Sequence, residues 1–458
     1  MTNGPLPPDR ARPRVALIAH VGTTNHGDEA ILASTLEALR GWRPEPSVTV
    51  FSIDPADTTR RHGVASLPLR RVVAGGGHGA APRPAAGPAA AAAAAPLGGL
   101  RALLRRVPGL RALIEALRAV RAALGAVCEE IPFLWRSWRA LRGTRLVIVA
   151  GSNQLEDWFG GAWGFPYTIY TWVCLARLVG ARVVFLSVGS GPLGASLSRA
   201  FCRRALGASA LTSFRDAESQ ALMRSCGFGG ASSVQPDLAF GLAPRDPPPR
   251  RPGAPLQVLI NVFPYKDPSY DPHVKGGGEK FERYLATLAA LTSSLIARGH
   301  EVVFACSQRA DRRVIGLVQA RLPAAEAART VMHDPQSVEE LRSILERADF
   351  VIATRYHGIL LSLLAARPVV ALCYQSKSRN LMASVGLERF AVDLTDSDTA
   401  LVLARLEELK AEAARLRAPL RECVGRTHRA VLAQFDSVAA LGGFAAPLRA
   451  VDAGPGPS

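Results

Sequence analysis

The chain has 458 residues, 48% of them apolar, with 55 Lys and Arg against 38 Asp and Glu, a formal net charge of +17. This length and apolar share exclude a disordered chain or a small disulfide-framed domain and suit two domains with their own cores. Lysine stands only at positions 266, 275, 280, 377 and 410 in a chain rich in Arg, Ala, Gly and Pro; this compositional bias means no nucleic acid is expected, and an anionic substrate or anionic membrane surface accounts for the charge as well.

The seven cysteines are scattered and lack CxxC spacing. They suggest neither a disulfide framework nor a zinc site, and fit buried thiols in a reducing compartment. Residues 1–13 are polar and Pro-rich and read as a flexible terminus without a signal peptide. No uncharged apolar run reaches spanning length. The expected location is cytoplasmic.

Residues 14–19 read as a first strand. The loop from His20 to His26 leads into a helix over about 27–40, and 48–53 form a second strand. Residues 74–100, Gly-Gly-Gly-His-Gly followed by Ala and Pro, are of low complexity and expected to be disordered. Residues 101–142 carry Leu and Ala at helical spacing, arginines at the polar positions, and Trp135 and Trp138 near the end. Pro108 and Pro132 are expected to break this stretch into at least two helices. Its pattern fits an interfacial membrane helix, and also a solvated helical face packed on the domain.

Further strands are expected at 146–150, 183–188, 210–213 and 234–240. The first three end in Gly151-Ser152-Asn153, Gly189-Ser190-Gly191 and Arg215-Asp216, and the fourth contains Asp237. Residues 243–255, rich in Pro and Arg, read as a linker. A second αβ alternation follows, with strands at 256–262, 302–306, 329–332, 350–354 and 369–372, then a helical stretch over about 398–435. The predicted class is α/β: two Rossmann-like domains facing a cleft, GT-B-like, over 14–242 and 256–440. A helical insertion lies in the first domain, and a flexible tail covers 441–458.

The segment from Asp349 to Leu387 carries the densest chemistry. Two short, continuous apolar runs, 350–353 and 369–372, have the pattern of parallel strands covered on both faces, with a helix between them. Arg355 and His357 follow the first run and Lys377 follows the second. If the strands are neighbours, these groups converge beyond the carboxyl ends of the sheet, a place for an anionic substrate. Elsewhere the structural readings stand beside the functional ones. Asp28 is a candidate N-cap of the first helix. Arg215 and Asp216 can form a local ion pair or a cap, and Asp237 can satisfy backbone donors. Gly189 and Gly191 can serve a tight reversal.

Several segments, in order, resemble the polysaccharide pyruvyl transferase family. They are Asn25-His26-Gly27-Asp28-Glu29-Ala30, Gly189-Ser190-Gly191-Pro192, Phe214-Arg215-Asp216-Ala217-Glu218-Ser219, Pro236-Asp237-Leu238-Ala239-Phe240, Arg355-Tyr356-His357 and Tyr374-Gln375-Ser376-Lys377. The triple glycine usual in the family is Gly151-Ser152-Asn153 here, and the resemblance does not extend to 74–142. It implies transfer of pyruvate from phosphoenolpyruvate to two hydroxyls of one sugar, as a cyclic ketal with release of phosphate, in cell-surface or exopolysaccharide assembly. The acceptor glycan can be lipid-linked, which would bring the enzyme to the inner face of the cell membrane. His357 is the implied catalytic group. Arg355, Tyr356, Lys377 and Arg215 are the implied donor-binding residues. Asn25, Asp28 and Asn153 are assigned to the acceptor, with Asp237, Gly189 and Gly191 as further candidates. Phosphoenolpyruvate is a co-substrate, and the chemistry calls for neither cofactor nor metal. Two alternatives remain: a nucleotide-sugar glycosyltransferase or epimerase on the same architecture, and a non-catalytic subunit that binds a membrane or polyanion.

Overall fold

A computed structural model describes residues 12–71, 125, 128–158, 160–246, 248, 253–271, 274, 276–395 and 398–447. The expected low-complexity stretch 74–100 lies outside them, as does most of 101–127. The first sheet has seven parallel strands: β1 Arg14–Ile18, β2 Ser47–Ser52, β3 Ala65–Pro68, β4 Thr144–Ala150, β5 Arg182–Val188, β6 Leu211–Phe214 and β7 Ser233–Val234. Their spatial order is β3-β2-β1-β4-β5-β6-β7. The second sheet contains β8 Gln257–Asn261, β9 Glu301–Ala305, β10 Thr330–His333, β11 Phe350–Ala353, β12 Val369–Cys373 and β13 Ala391–Asp393, in the order β10-β9-β8-β11-β12-β13. Each sheet thus reverses direction after its first strand, the Rossmann order, and each has a crevice at that switch point.

The continuous apolar runs explain why these strands are central. Every residue of β11 and β12 is buried. The two pair in parallel, Val351 opposite Val369, so they are neighbours as expected. Alternation along β1 divides the first domain's apolar side chains. Val15 and Leu17 join a core that continues into the second domain, whereas Ala16 and Ile18 face a separate core with Phe185 and Trp172.

The insertion contributes a helix over 128–141 between β3 and β4. It runs through Pro132, so the expected break there is absent. The expected strand over 234–240 shrinks to a two-residue pairing at Ser233–Val234. Pro236 has no N–H for a ladder. Beyond it Asp237 accepts from Ala239 N at 2.9 Å and starts a 3₁₀ turn, Leu238–Gly241. The last helix, Thr399–Ala439, does not stay with the second domain. Its end reaches the first, where Gln434 Nε2 donates to Ser187 Oγ at 2.9 Å. Residues 441–447 of the expected tail are also packed: Phe444 lies 5.2 Å from the Trp42 ring, and Arg43 and Ala445 exchange backbone hydrogen bonds. Residues 448–458 lie outside the described residues.

Candidate active site between the domains

The loops after β1, β4, β5 and β6 meet those after β11 and β12 across the cleft. His357 stands in the first turn of the helix Tyr356–Leu364. Its ring packs on Gly27, in the first turn of the helix His26–Arg40 of the other domain. A Cβ at Gly27 would fall 2.1 Å from the His357 Nδ1. Across the cleft, His357 Nε2 lies 3.7 Å from Asp237 Oδ2, buried and beyond hydrogen-bonding distance of any described partner. Asp237 also receives Arg215 Nη1 at 3.2 Å. Burial opposes its charge, but His357 and Arg215 more than offset this and hold the carboxyl well below the usual range.

Arg215 is fixed on three sides. Asn153 Oδ1 accepts from its Nη2, Asp237 takes Nη1, and its guanidinium lies 4.9 Å from the Tyr356 ring centroid. Its Nε is buried without a hydrogen-bond partner. Gly189 makes room for this arrangement, since a Cβ there would meet Asn153 Oδ1 at 2.3 Å and Arg215 Nη2 at 2.7 Å. Gly191 does the same for Glu156. Lys377 lies 5.9 Å from the Tyr356 ring on its own domain and makes no ion pair among the described residues. Burial and the nearby Arg215 charge lower its pKa to about 8, against the pull of Glu156, Asp216 and Asp28. A partly covered ammonium beside a guanidinium is a poised anion site.

Arg355 does not join them. Its Nε donates to Asp311 Oδ2 at 2.8 Å and its Nη2 to Asp311 Oδ1, while the guanidinium lies over Phe263. Asp311 is buried and also caps Ser307 N and Gln308 N. The bidentate pair neutralises Arg355 within the second domain.

On the first domain Asn25, not Asp28, caps the helix His26–Arg40, accepting from Gly27 N at 3.1 Å. Asp28 is buried and takes Asn25 Nδ2 at 2.7 Å and Ser152 Oγ at 2.8 Å, with His20 Nδ1 at 3.4 Å. Ser152 has φ +57°, a left-handed conformation that favours glycine. The two residues that replace the family's glycines therefore supply side chains to Asp28 and Arg215. Asp216 caps the helix Ala217–Ser225 while its carboxylate stays 3.8 Å from Arg215 Nε, so both structural readings of that pair hold.

Sequence reasoning missed His20 and Glu156. Burial lowers the His20 pKa, and contacts with Asp28 and Glu156 more than reverse this. Burial raises that of Glu156. Their one sequence signal is position, since both follow strands beside the first sheet's switch point. Glu29 holds the His20 loop, accepting from Gly22 N at 2.9 Å and from His62 Nε2 at 2.7 Å. Among the described residues no group of three His, Cys, Asp or Glu is placed to hold a metal ion.

Two parallel-sheet domains with charged groups gathered at their facing crevices have the GT-B architecture. Solved structures similar in fold include Anabaena HepE in complex with UDP and glucose, with TM-score 0.52, 9% identity, and coverage of 93% of this chain and 98% of that one. A UDP-N-acetylglucosamine 2-epimerase is similar at TM-score 0.51, with 11% identity and coverage of 93% and 96%. The model of the polysaccharide pyruvyl transferase family matches residues 115–376, more than half of the chain. The protein belongs to the polysaccharide pyruvyl transferase family. The matched span includes Arg215, Asp237 and His357 and stops one residue before Lys377.

Proposed function

We propose that the chain transfers pyruvate from phosphoenolpyruvate to two hydroxyls of one sugar, forming a cyclic ketal, in cell-surface or exopolysaccharide assembly. The observation that carries this reading is the set of unanswered polar atoms in the cleft: an unpaired Lys377 ammonium, a buried Arg215 Nε and a buried His357 Nε2. A small donor with a carboxylate and a phosphate answers all three. Arg215 and Lys377 take its charges. His357, beside the Asp237 carboxylate, gives a proton to the methylene carbon. A sugar hydroxyl adds to the adjacent carbon, and its proton passes to His20, oriented through Nδ1 by Asp28. Phosphate then leaves with the electron pair of its C–O bond. The second hydroxyl captures the oxocarbenium-like centre, and its proton departs with phosphate. Water resets both imidazoles. Asn25 and Asn153 act by positioning Asp28 and Arg215. Arg355 supports the donor side through its tie to Asp311.

The test is phosphate release from phosphoenolpyruvate against a panel of free and lipid-linked glycans, run beside UDP-sugars. Phosphate release with at least one glycan, and its loss in His357→Ala with the fold intact, is expected. UDP release in place of phosphate release would move the assignment to a nucleotide-sugar transferase or epimerase. Peripheral attachment to the inner face of the cell membrane belongs to the same reading, because a lipid-carried acceptor presents its glycan there.

A further inference from the structure

Three helices lie side by side on the outer face of the first sheet: 128–141, Phe165–Leu178 and Ser196–Gly207. Glu130 accepts from Tyr167 Oη at 3.2 Å, and the Phe133 and Trp172 rings stand 6.4 Å apart, joining the first helix to the second. Tyr170 stacks on Phe201 at 5.2 Å, joining the second to the third. Their inner sides are buried in the Phe185 and Trp172 core. Their outer sides ought to be polar. Instead Trp135, Trp163 and Leu178 are 56%, 66% and 74% exposed, with Ile131 and Leu197 also exposed.

Helical spacing arranges these side chains in rows. Ile131 and Trp135 are four residues apart and lead on to Arg139. Leu197 and Phe201 are four apart and lead on to Arg204, and Leu178 adjoins Arg177. All three arginines are exposed. Trp163 closes the gap between helices, 5.3 Å from the Tyr167 ring and 6.0 Å from that of Phe201. Apolar rows ending in arginine, with tryptophan between them, fit a surface that dips apolar groups below a layer of anionic headgroups. A second copy fits poorly, since a two-fold contact would bring arginine against arginine. The patch also adjoins the acceptor side of the cleft. Arg70 lies over the Phe165 ring and donates to the Trp163 carbonyl, and Phe165 meets the His20 ring edge at 4.9 Å.

We infer that this face docks the enzyme on an anionic lipid bilayer. It deepens the membrane part of the proposed function but stands apart from the chemistry, so vesicle binding and phosphate release fail separately. The test is flotation of the full chain with vesicles of phosphatidylglycerol and phosphatidylcholine, and of phosphatidylcholine alone, at low and high salt. The protein should float with the anionic vesicles and be released by salt. Trp135→Ser with Trp163→Ser, and separately Arg139→Gln with Arg204→Gln, should each lower partitioning by about tenfold or more. Both variants should keep their far-ultraviolet circular dichroism, because the replaced side chains are exposed. Brominated lipid should quench tryptophan emission in the wild type and less in the tryptophan variant. Failure of the wild type to float, or flotation of both variants at its level, would overturn the inference. So would a dimer, seen by light scattering, that only the tryptophan variant dissolves, since the face would then belong to a second copy.

Discussion

Lys377 and Arg355 carry the same sign, follow neighbouring strands and have different electrostatic partners. Lys377 has a pKa lowered from 10.5 to about 8. It is charged below about pH 8, so donor affinity should be full there and fall as pH rises, by up to roughly tenfold per pH unit. The free enzyme responds in the opposite sense. Between pH 8 and 10.5 the unfolded chain binds more protons at this residue, so its contribution to stability rises with pH. Titration calorimetry with phosphoenolpyruvate from pH 7 to 9.5 checks this, and Lys377→Ala should be weak at every pH. Arg355→Ala should act on stability first. It leaves buried Asp311 uncompensated, at a cost of about 3–5 kcal/mol, read as a lowered denaturation midpoint. His357, Arg215 and Lys377 were legible because each ends a recognisable strand inside a motif. The Arg355–Asp311 pair was not, because Asp311 comes from a helix whose start no motif marks. His20 was equally hidden: its partner Asp28 lies eight residues away across a loop whose path the sequence does not set.

At the scale of elements, long apolar runs made most strands readable. The strands β3 and β13 were missed because they are short edge strands, whose side chains need not be apolar on both faces. The 234–240 stretch misled because apolar residues in a 3₁₀ turn look like strand when counted by burial alone. The glycines of the site have a sharper role than loop flexibility. Gly27, Gly189 and Gly191 admit a neighbouring side chain where a methyl group would stand. Gly27→Ala should push the His357 ring from its place against Asp237. A fall in turnover on the order of a hundredfold is expected from a shift of about 1 Å, with donor affinity changed far less. Steady-state kinetics beside calorimetry separate the two effects.

For the whole molecule, polar contacts across the cleft add to a core that continues from one domain into the other. Glu218 of the first domain accepts from Ser376 Oγ at 2.5 Å and Asn380 Nδ2 at 2.9 Å, on either side of Lys377. His26 N donates to Ser307 O at 2.9 Å, and its Nε2 to Pro335 O at 2.8 Å. Glu218→Ala should raise the KM for phosphoenolpyruvate by about fivefold, the equivalent of roughly 1 kcal/mol for an exposed charged contact. Small-angle scattering should show the particle slightly larger. The helix Thr399–Ala439 runs on from the second domain to the first, where Gln434 donates to Ser187. His357 and Asp237 come from opposite sides of the cleft. The proposed proton donor and the carboxylate beside it therefore meet only where the two domains meet. A site divided in this way depends on the fit of both domains, so a change that shifts either one reaches the proposed chemistry.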